Sequence, residues 1–528
     1  MGEASSQAIS NRARQAVQAR QWPVVEAAAR QLIRIDANNP EGWFLLGLAG
    51  NAAGRQPESI DAFSRVLKLD GSRYDAAIEL AWIYWATFRH AEAKDLLERY
   101  QGRLAKSSLY SYKAAETWSR LGLHAAALPL YKKAYDLQPD VDQFRAGLAA
   151  CSVLCGELSS ARDGFLGLLE RHPGHQRHHY ELARLARATD RRHVDQMVSV
   201  LESKGLPPEK CIFFYYALGK ELEDLEAWDE SFYYYQMGGN AAASVVREAG
   251  YSVQQDIDLI DRIIHVCDSK WLSRQVGAID VSKSWGCPIF VTGLPRTGTT
   301  LTERILASHS KVESADESFF LEIALRRLCG IGSGPGITPE IIDAAALLNP
   351  GRIGEEYLRL IRYRLNGKPF FIEKYPFNFL HLGFVAKGLP EGRIVHLQRN
   401  PMDACFAMYK QPYFRFAFTF NDLSAYYQAY DRLMNHWRRL LGERLIELRY
   451  EELVNRQESE TRRLLERIGL EFEPECLAFE KNTAASASAS TVQVREKIHL
   501  RSVNRWTHFS RHLQPLKELL VESGIAVE

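Results

Sequence analysis

Gly293-Leu294-Pro295-Arg296-Thr297-Gly298-Thr299-Thr300 joins an apolar run to an amphipathic stretch with Leu301, Ile305 and Leu306 on one side. A G-x-x-x-x-G loop between a strand and a helix offers backbone N–H groups and the positive end of a helix dipole to a phosphate-like anion. A nucleotide triphosphatase needs a lysine directly after the second glycine, and Thr299 stands there instead. Arg296 lies inside the loop, where its planar fork can hold a terminal group through two parallel hydrogen bonds, and Thr299 and Thr300 add hydroxyl donors. The apolar run 393-RIVHLQ-398 ends in Gln398-Arg399 with no free Asp, so magnesium is not required by the pattern and no metal is expected.

Placing these groups takes a particular scaffold. From Pro288 onward short apolar runs alternate with longer amphipathic ones, which predicts βα units around a parallel sheet with strands at 288–293, 369–375, 393–398 and 444–450. Ligands of such sheets sit at the carboxyl ends of the strands, and Arg296, Lys374, Arg399 and Tyr450 fall there. Three cations and an aromatic converging on one loop specify an anion with several phosphate-like groups and a base.

The first half has another rhythm. Small and aromatic residues return every 34 positions, as in the series Ala81, Ala115, Ala149 and Ala93, Ala127, Ala161, with Phe63, Leu97, Tyr131 and Phe165 at matching steps. Helix pairs of the tetratricopeptide kind are expected, with small residues where helices touch and an aromatic filling the neighbouring groove. The fold class is therefore an α-solenoid of tetratricopeptide repeats followed by an α/β P-loop-like parallel-sheet domain. The expected boundaries are 1–240 for the solenoid, 241–286 for a helical linker and 287–528 for the sheet domain. The solenoid is expected to carry none of the anion contacts; its concave face suits docking of a protein or polymer, and a spacer or a dimerisation arm is the alternative.

Bulk properties limit the candidates. The 528 residues are 46% hydrophobic and 25% charged, and 66 basic against 65 acidic residues give a net charge of +1, so no whole-chain field favours nucleic acid. Eight cysteines without C-x-x-C pairing suggest neither a zinc nor a disulfide framework. The first residues lack an apolar core suited to a signal peptide or membrane anchor, which leads to an expected cytoplasmic location with no membrane span.

Residues 287–528 resemble the sulfotransferase family, in particular bacterial members with an amino-terminal tetratricopeptide array, and more distantly the tyrosylprotein sulfotransferases. The donor implied by the resemblance is 3′-phosphoadenosine 5′-phosphosulfate, used as co-substrate. A sulfuryl group carries less charge than a γ-phosphoryl group, so such a loop can work without the lysine and its metal. The resemblance places Arg296, Thr297, Gly298, Thr299 and Thr300 on the 5′-phosphosulfate loop and Glu317 on the catalytic base. It places Lys374 on a lysine that contacts the transferring group and Arg399 on the 3′-phosphate arginine. Tyr450 falls near the adenine, and Ser490 and Arg505 fall on the last donor-binding segment. Catalysis is thus expected from Glu317, Lys374 and Arg296.

Two positions depart from the family pattern. Ala407 stands where a serine hydroxyl usually meets the 3′-phosphate, with Ser490, Arg505 or Lys410 as replacements. Phe319 and Phe320 stand where a basic acceptor-contacting residue is expected, which argues against an acidic peptide acceptor. The acceptor is expected to offer a hydroxyl, less readily an amine. Two other readings stay open on the residues: a P-loop kinase of a small metabolite, and a tetratricopeptide adaptor that binds nucleotide without turnover. Glu317 also has a purely structural alternative, as a helix cap.

Overall fold

The computed structural model describes residues 2–274, 286–331, 336–486 and 492–527. The chain divides into two compact units, Met1–Cys151 and Ser152–Glu528. The expected boundary at 240 falls inside a single helix, Trp228–Glu248.

Sixteen helices precede the sheet among the described residues: α1 (Gly2–Gln18), α2 (Trp22–Ile35), α3 (Pro40–Ala52), α4 (Gln56–Leu69), α5 (Tyr74–Ala86), α6 (His90–Tyr100), α7 (Ser108–Arg120), α8 (His124–Leu137), α9 (Asp142–Cys155), α10 (Leu158–Arg171), α11 (Gln176–Leu185), α12 (Arg192–Lys204), α13 (Ile212–Asp224), α14 (Trp228–Glu248), α15 (Val253–Val266) and α16 (Ser269–Ser273). The 34-residue rhythm has a direct steric cause. Ala81, Ala93, Ala115, Ala127, Ala149 and Ala161 are fully buried. A Cβ added to Gly47 would lie 2.7 Å from the Phe63 ring, so the aromatic fills the space the missing side chain leaves. Gly219 meets Tyr235 in the same way at 2.6 Å. The turns within four successive helix pairs, α3–α4, α5–α6, α7–α8 and α9–α10, take a left-handed residue, and Gly54, Phe88, Gly122 and Gly156 supply it at φ of 73°, 59°, 77° and 85°. Phe88 adopts this conformation without the freedom of glycine.

The sheet follows, with strands β1 (Cys287–Gly293), β2 (Val312–Ser314), β3 (Phe370–Lys374), β4 (Arg393–Gln398) and β5 (Leu445–Arg449). All are parallel in the order β2-β3-β1-β4-β5. The four expected strands form, and β2 is an addition: three residues containing Glu313 and Ser314 have too little apolar periodicity to stand out. Ile289, Val291, Ile372, Val395 and Leu397 of the central strands are buried with Ile305 and Leu306 of α17 (Thr299–Ala307), the helix that follows the loop. β1 lies between β3 and β4, so the chain leaves it in opposite directions and a crevice opens at its carboxyl end.

Candidate active site

The loop 294–298 occupies that crevice. Gly293 has φ of 149° and a Cβ there would approach the Leu397 carbonyl to 2.6 Å, so β4 permits only glycine at the end of β1. Gly298 caps α17 at φ of 101°, where a Cβ would lie 2.6 Å from the Tyr450 ring. Arg296 takes a left-handed φ of 70°, an uncommon conformation for a residue with a side chain. Its Nη2 donates to Gln493 Oε1 at 2.8 Å. Burial, then the neighbouring charges of Arg399 and Arg184, lower its pKa to about 10.

Two adjoining cavities of about 260 and 310 Å³ meet at Arg296, Arg399, Gln493, Glu496, His499 and Ser502. Gly298, Thr299 and Thr300 line the first, with Glu317, Tyr450 and the aromatic side chains of Tyr375 and Phe377. Thr297 does not line it; its hydroxyl turns inward and donates to the Leu294 carbonyl at 2.7 Å. Its part is to brace the loop.

Glu317 and Lys374 form the polar centre. Lys374 ends β3, is fully buried and donates to Glu317 Oε1, while Glu303 of α17 lies 3.6 Å from the same ammonium on its other side. Burial works against the ammonium, but Glu317, Glu303 and Asp316 outweigh it and hold its pKa above the ordinary lysine range. Burial raises the Glu317 carboxyl, with Lys374 pulling the other way. Burial likewise raises Glu303. Glu317 keeps 28% of its side chain exposed, toward the first cavity. It does not cap the following helix α18 (Phe320–Cys329), whose N-cap, Phe319, makes no side-chain cap bond. Arg364 Nη1 donates to the carbonyls of Ala315 and Glu317 at 2.7 and 3.0 Å and fixes this segment.

Arg399 follows β4. Its Nη1 donates to the Arg296 carbonyl at 2.7 Å, its Nη2 donates to the Ser502 carbonyl, and its guanidinium lies 4.8 Å over the Tyr450 ring. Its Nε is buried with no hydrogen-bond partner among the described residues, a donor placed for a group at the cavity wall. Arg505 lines the second cavity, donates from Nε to Glu223 Oε1 at 3.1 Å and lies 4.8 Å over Trp228. Ser490 lies outside the described residues. The structure thus brings together Arg296, Gly298, Thr299, Thr300, Glu317, Lys374, Arg399 and Tyr450, and sets Arg505 on the adjoining wall.

Sequence reasoning missed Glu303, Glu223 and Arg184. Glu303 follows Thr299, Thr300 and Thr302 on its helix, so the local sequence reads as a polar face and gave no signal of its burial. Nothing in the local sequence marks Glu223 of α13 or Arg184 of α11, yet both line the second cavity, so the helical segment before 240 does contribute to this site. Asp403 accepts from the backbone N–H groups of Asn504 and Trp506 at 2.7 and 3.1 Å and pins the tail. The free cysteines are buried or half-buried. Among the described residues no cluster of three His, Cys, Asp or Glu is placed to hold a metal, and no helix is long and apolar enough to cross a membrane.

Comparison with known proteins finds matches in two segments of the chain. Residues 288–474 match the sulfotransferase family and residues 120–191 match the tetratricopeptide repeat. An uncharacterized protein of Aquifex aeolicus is 30% identical over 350 residues, covering 63% of this chain and 45% of that protein. Protein-tyrosine sulfotransferase 1 of Danio rerio is 22% identical over 246 residues, covering 41% of this chain and 65% of that protein. The chain therefore spans less than two thirds of the length of either relative. The sulfotransferase domain of the Synechococcus PCC 7002 olefin synthase is 17% identical with a TM-score of 0.33, covering 48% of this chain and 100% of that one. The chain thus joins, in sequence order, a segment that matches the tetratricopeptide repeat and a segment, residues 288–474, that matches the sulfotransferase family.

Proposed function

We propose that the protein transfers a sulfuryl group from 3′-phosphoadenosine 5′-phosphosulfate to an acceptor hydroxyl. The observation that carries this reading is Glu317, which is paired with the buried Lys374 and lines the cavity that begins at the 294–300 loop. The loop amides and Arg296 suit the 5′ side of the donor, Tyr450 suits its base, and the unpartnered Nε of Arg399 suits its 3′-phosphate.

In this reaction Glu317 takes the proton of the acceptor hydroxyl, and the freed oxygen forms a bond to sulfur. The bond from sulfur to the 5′-phosphate oxygen breaks, its electron pair leaves on that oxygen, and 3′-phosphoadenosine 5′-phosphate departs. Lys374 and Arg296 stabilise the charge that builds on the equatorial and leaving oxygens, the positioning-and-electrostatics strategy of related group transfers. A carboxyl raised by burial is suited to accept a proton. The aromatic wall of Tyr375, Phe377 and Phe414 beside Glu317 favours an acceptor with an apolar or aromatic body. The repeats are read as the docking surface for a protein or polymer acceptor, and the protein as cytoplasmic.

The test has two parts. Calorimetry should detect 3′-phosphoadenosine 5′-phosphate binding and much weaker adenosine triphosphate binding, with or without magnesium. Radiolabelled donor should pass its label to a macromolecular or small-hydroxyl fraction. Preference for the triphosphate would point to a kinase, and donor binding without label transfer would point to an adaptor.

A further inference from the structure

The second cavity is built from both halves of the 152–528 unit. Its wall holds eight Lys and Arg side chains against four carboxylates, an excess of positive charge that calls for a multiply charged anion. Part of that wall comes from the helical array. Arg184 of α11 lies within the residues that match the tetratricopeptide repeat, and its charge reaches Arg296 of the phosphate loop. Glu223, at the end of α13, is buried and binds three side chains at once. Lys410 Nζ donates to its two oxygens at 2.7 and 2.9 Å, Arg505 Nε donates at 3.1 Å and the Tyr235 hydroxyl donates at 3.0 Å. Lys410 lies just beyond the helix Pro401–Tyr409, three residues past Ala407, and Ala407 lines the same cavity.

We propose that the helical array forms one wall of the donor pocket, where Arg184 and the Glu223-anchored pair Lys410 and Arg505 take the 3′-phosphate beside Ala407. This rests on the sulfotransferase reading above. A serine hydroxyl at 407 would supply one neutral donor to the phosphate. Lys410 and Arg505 supply charged donors from the same side, and charge-assisted hydrogen bonds are roughly twice as strong as neutral ones. Glu223 is a positioning residue: without it two flexible cations would have to be ordered by the ligand, at an entropic cost. The tetratricopeptide segment of this chain is then part of the nucleotide site as well as a platform for partners.

Dissociation constants of the full chain for 3′-phosphoadenosine 5′-phosphate and for adenosine 5′-phosphate, taken by calorimetry, isolate the contribution of the 3′ group. Arg184→Met and Lys410→Met should each weaken the bisphosphate by about 10- to 100-fold and the monophosphate by less than about threefold. Wild-type protein can be probed without any substitution by phenylglyoxal labelling read by mass spectrometry. The bisphosphate should protect Arg184 and Arg505, and the monophosphate should leave both reactive. An unchanged preference for the bisphosphate in Arg184→Met, or an Arg184 that labels equally with either ligand, overturns the array's role. Wild-type protein that does not distinguish the two nucleotides would instead overturn the sulfotransferase reading itself.

Discussion

Replacing Lys374 with methionine removes an ammonium from between two carboxylates and leaves a side chain of similar length. Lys374 has 0% side-chain exposure, donates to Glu317 and lies 3.6 Å from Glu303. Removing one partner of a buried ion pair costs about 3–5 kcal/mol because the remaining charge is left uncompensated. That cost depends on pH in a defined direction. The ammonium lowers the pKa of both Glu303 and Glu317, and burial already places both above their ordinary values. Without Lys374 they rise further. A carboxyl whose folded pKa exceeds its unfolded value contributes stability that is full below the unfolded pKa and lost as pH rises through the folded one. The deficit of Lys374→Met should therefore be largest near pH 8 and shrink by more than half near pH 5, where the two carboxyls gain protons. Adding Glu303→Gln should recover much of the loss at pH 8. Thermal unfolding of the full chain at the two pH values, followed by differential scanning fluorimetry, measures this. A deficit that is equal at both pH values and is not relieved by Glu303→Gln would show that Lys374 acts through packing alone.

Other outcomes follow from the same geometry. Glu317→Gln should lower turnover by about 10²–10⁴ while leaving the donor dissociation constant within about threefold, and normal turnover would remove Glu317 from the mechanism. In wild-type protein, kcat should rise with pH through an inflection above the ordinary glutamate value of about 4.3, because burial raises this carboxyl; an inflection at or below that value would contradict its assigned environment. Arg399→Ala should cost roughly 2–5 kcal/mol in binding of 3′-phosphoadenosine 5′-phosphate and much less in binding of adenosine 5′-phosphate, and equal losses would refute the 3′-phosphate assignment. A chain starting at residue 152 should keep the wild-type preference for the bisphosphate, whereas one starting at 241 should lose it, since Arg184 and Glu223 are then absent; calorimetry on both truncations decides the matter.

The phosphate loop was legible because its requirements are local. Glycines at 293 and 298 are dictated by backbone approach and left-handed φ, and both constraints show in eight consecutive residues. The repeats were legible for a similar reason: buried alanines and aromatic plugs recur at a fixed step, and even the left-handed turn recurs, although Phe88 hides it at one position. β2 was missed because three residues carry too little pattern, and the strand owes its place to pairing with β3. The helical side of the second cavity, with Arg184 and Glu223, was missed because it depends on residues distant in the chain. Glu223 and Lys410 are 187 residues apart, and neither has a neighbour whose type betrays the other. Glu303 was overlooked for a subtler reason: an acid in a loop helix reads as solvated surface until a lysine from the adjacent strand is set against it.

The carboxyl-terminal segment has a kinetic consequence. Gln493 holds Arg296, the Ser502 carbonyl accepts from Arg399, and Asp403 fastens the backbone at Asn504 and Trp506. Gln493, Glu496, His499 and Ser502 also line both cavities, so this stretch crosses the partition between them. A nucleotide that fills both sides lies beneath a strap tied to its own binding residues. On the donor reading proposed above, release of the nucleotide is expected to be coupled to the loosening of this segment. For the transfer proposed above, loosening those few bonds, as in Gln493→Ala, should then speed nucleotide release in stopped-flow measurements, and an unchanged release rate would show that the segment does not retain it.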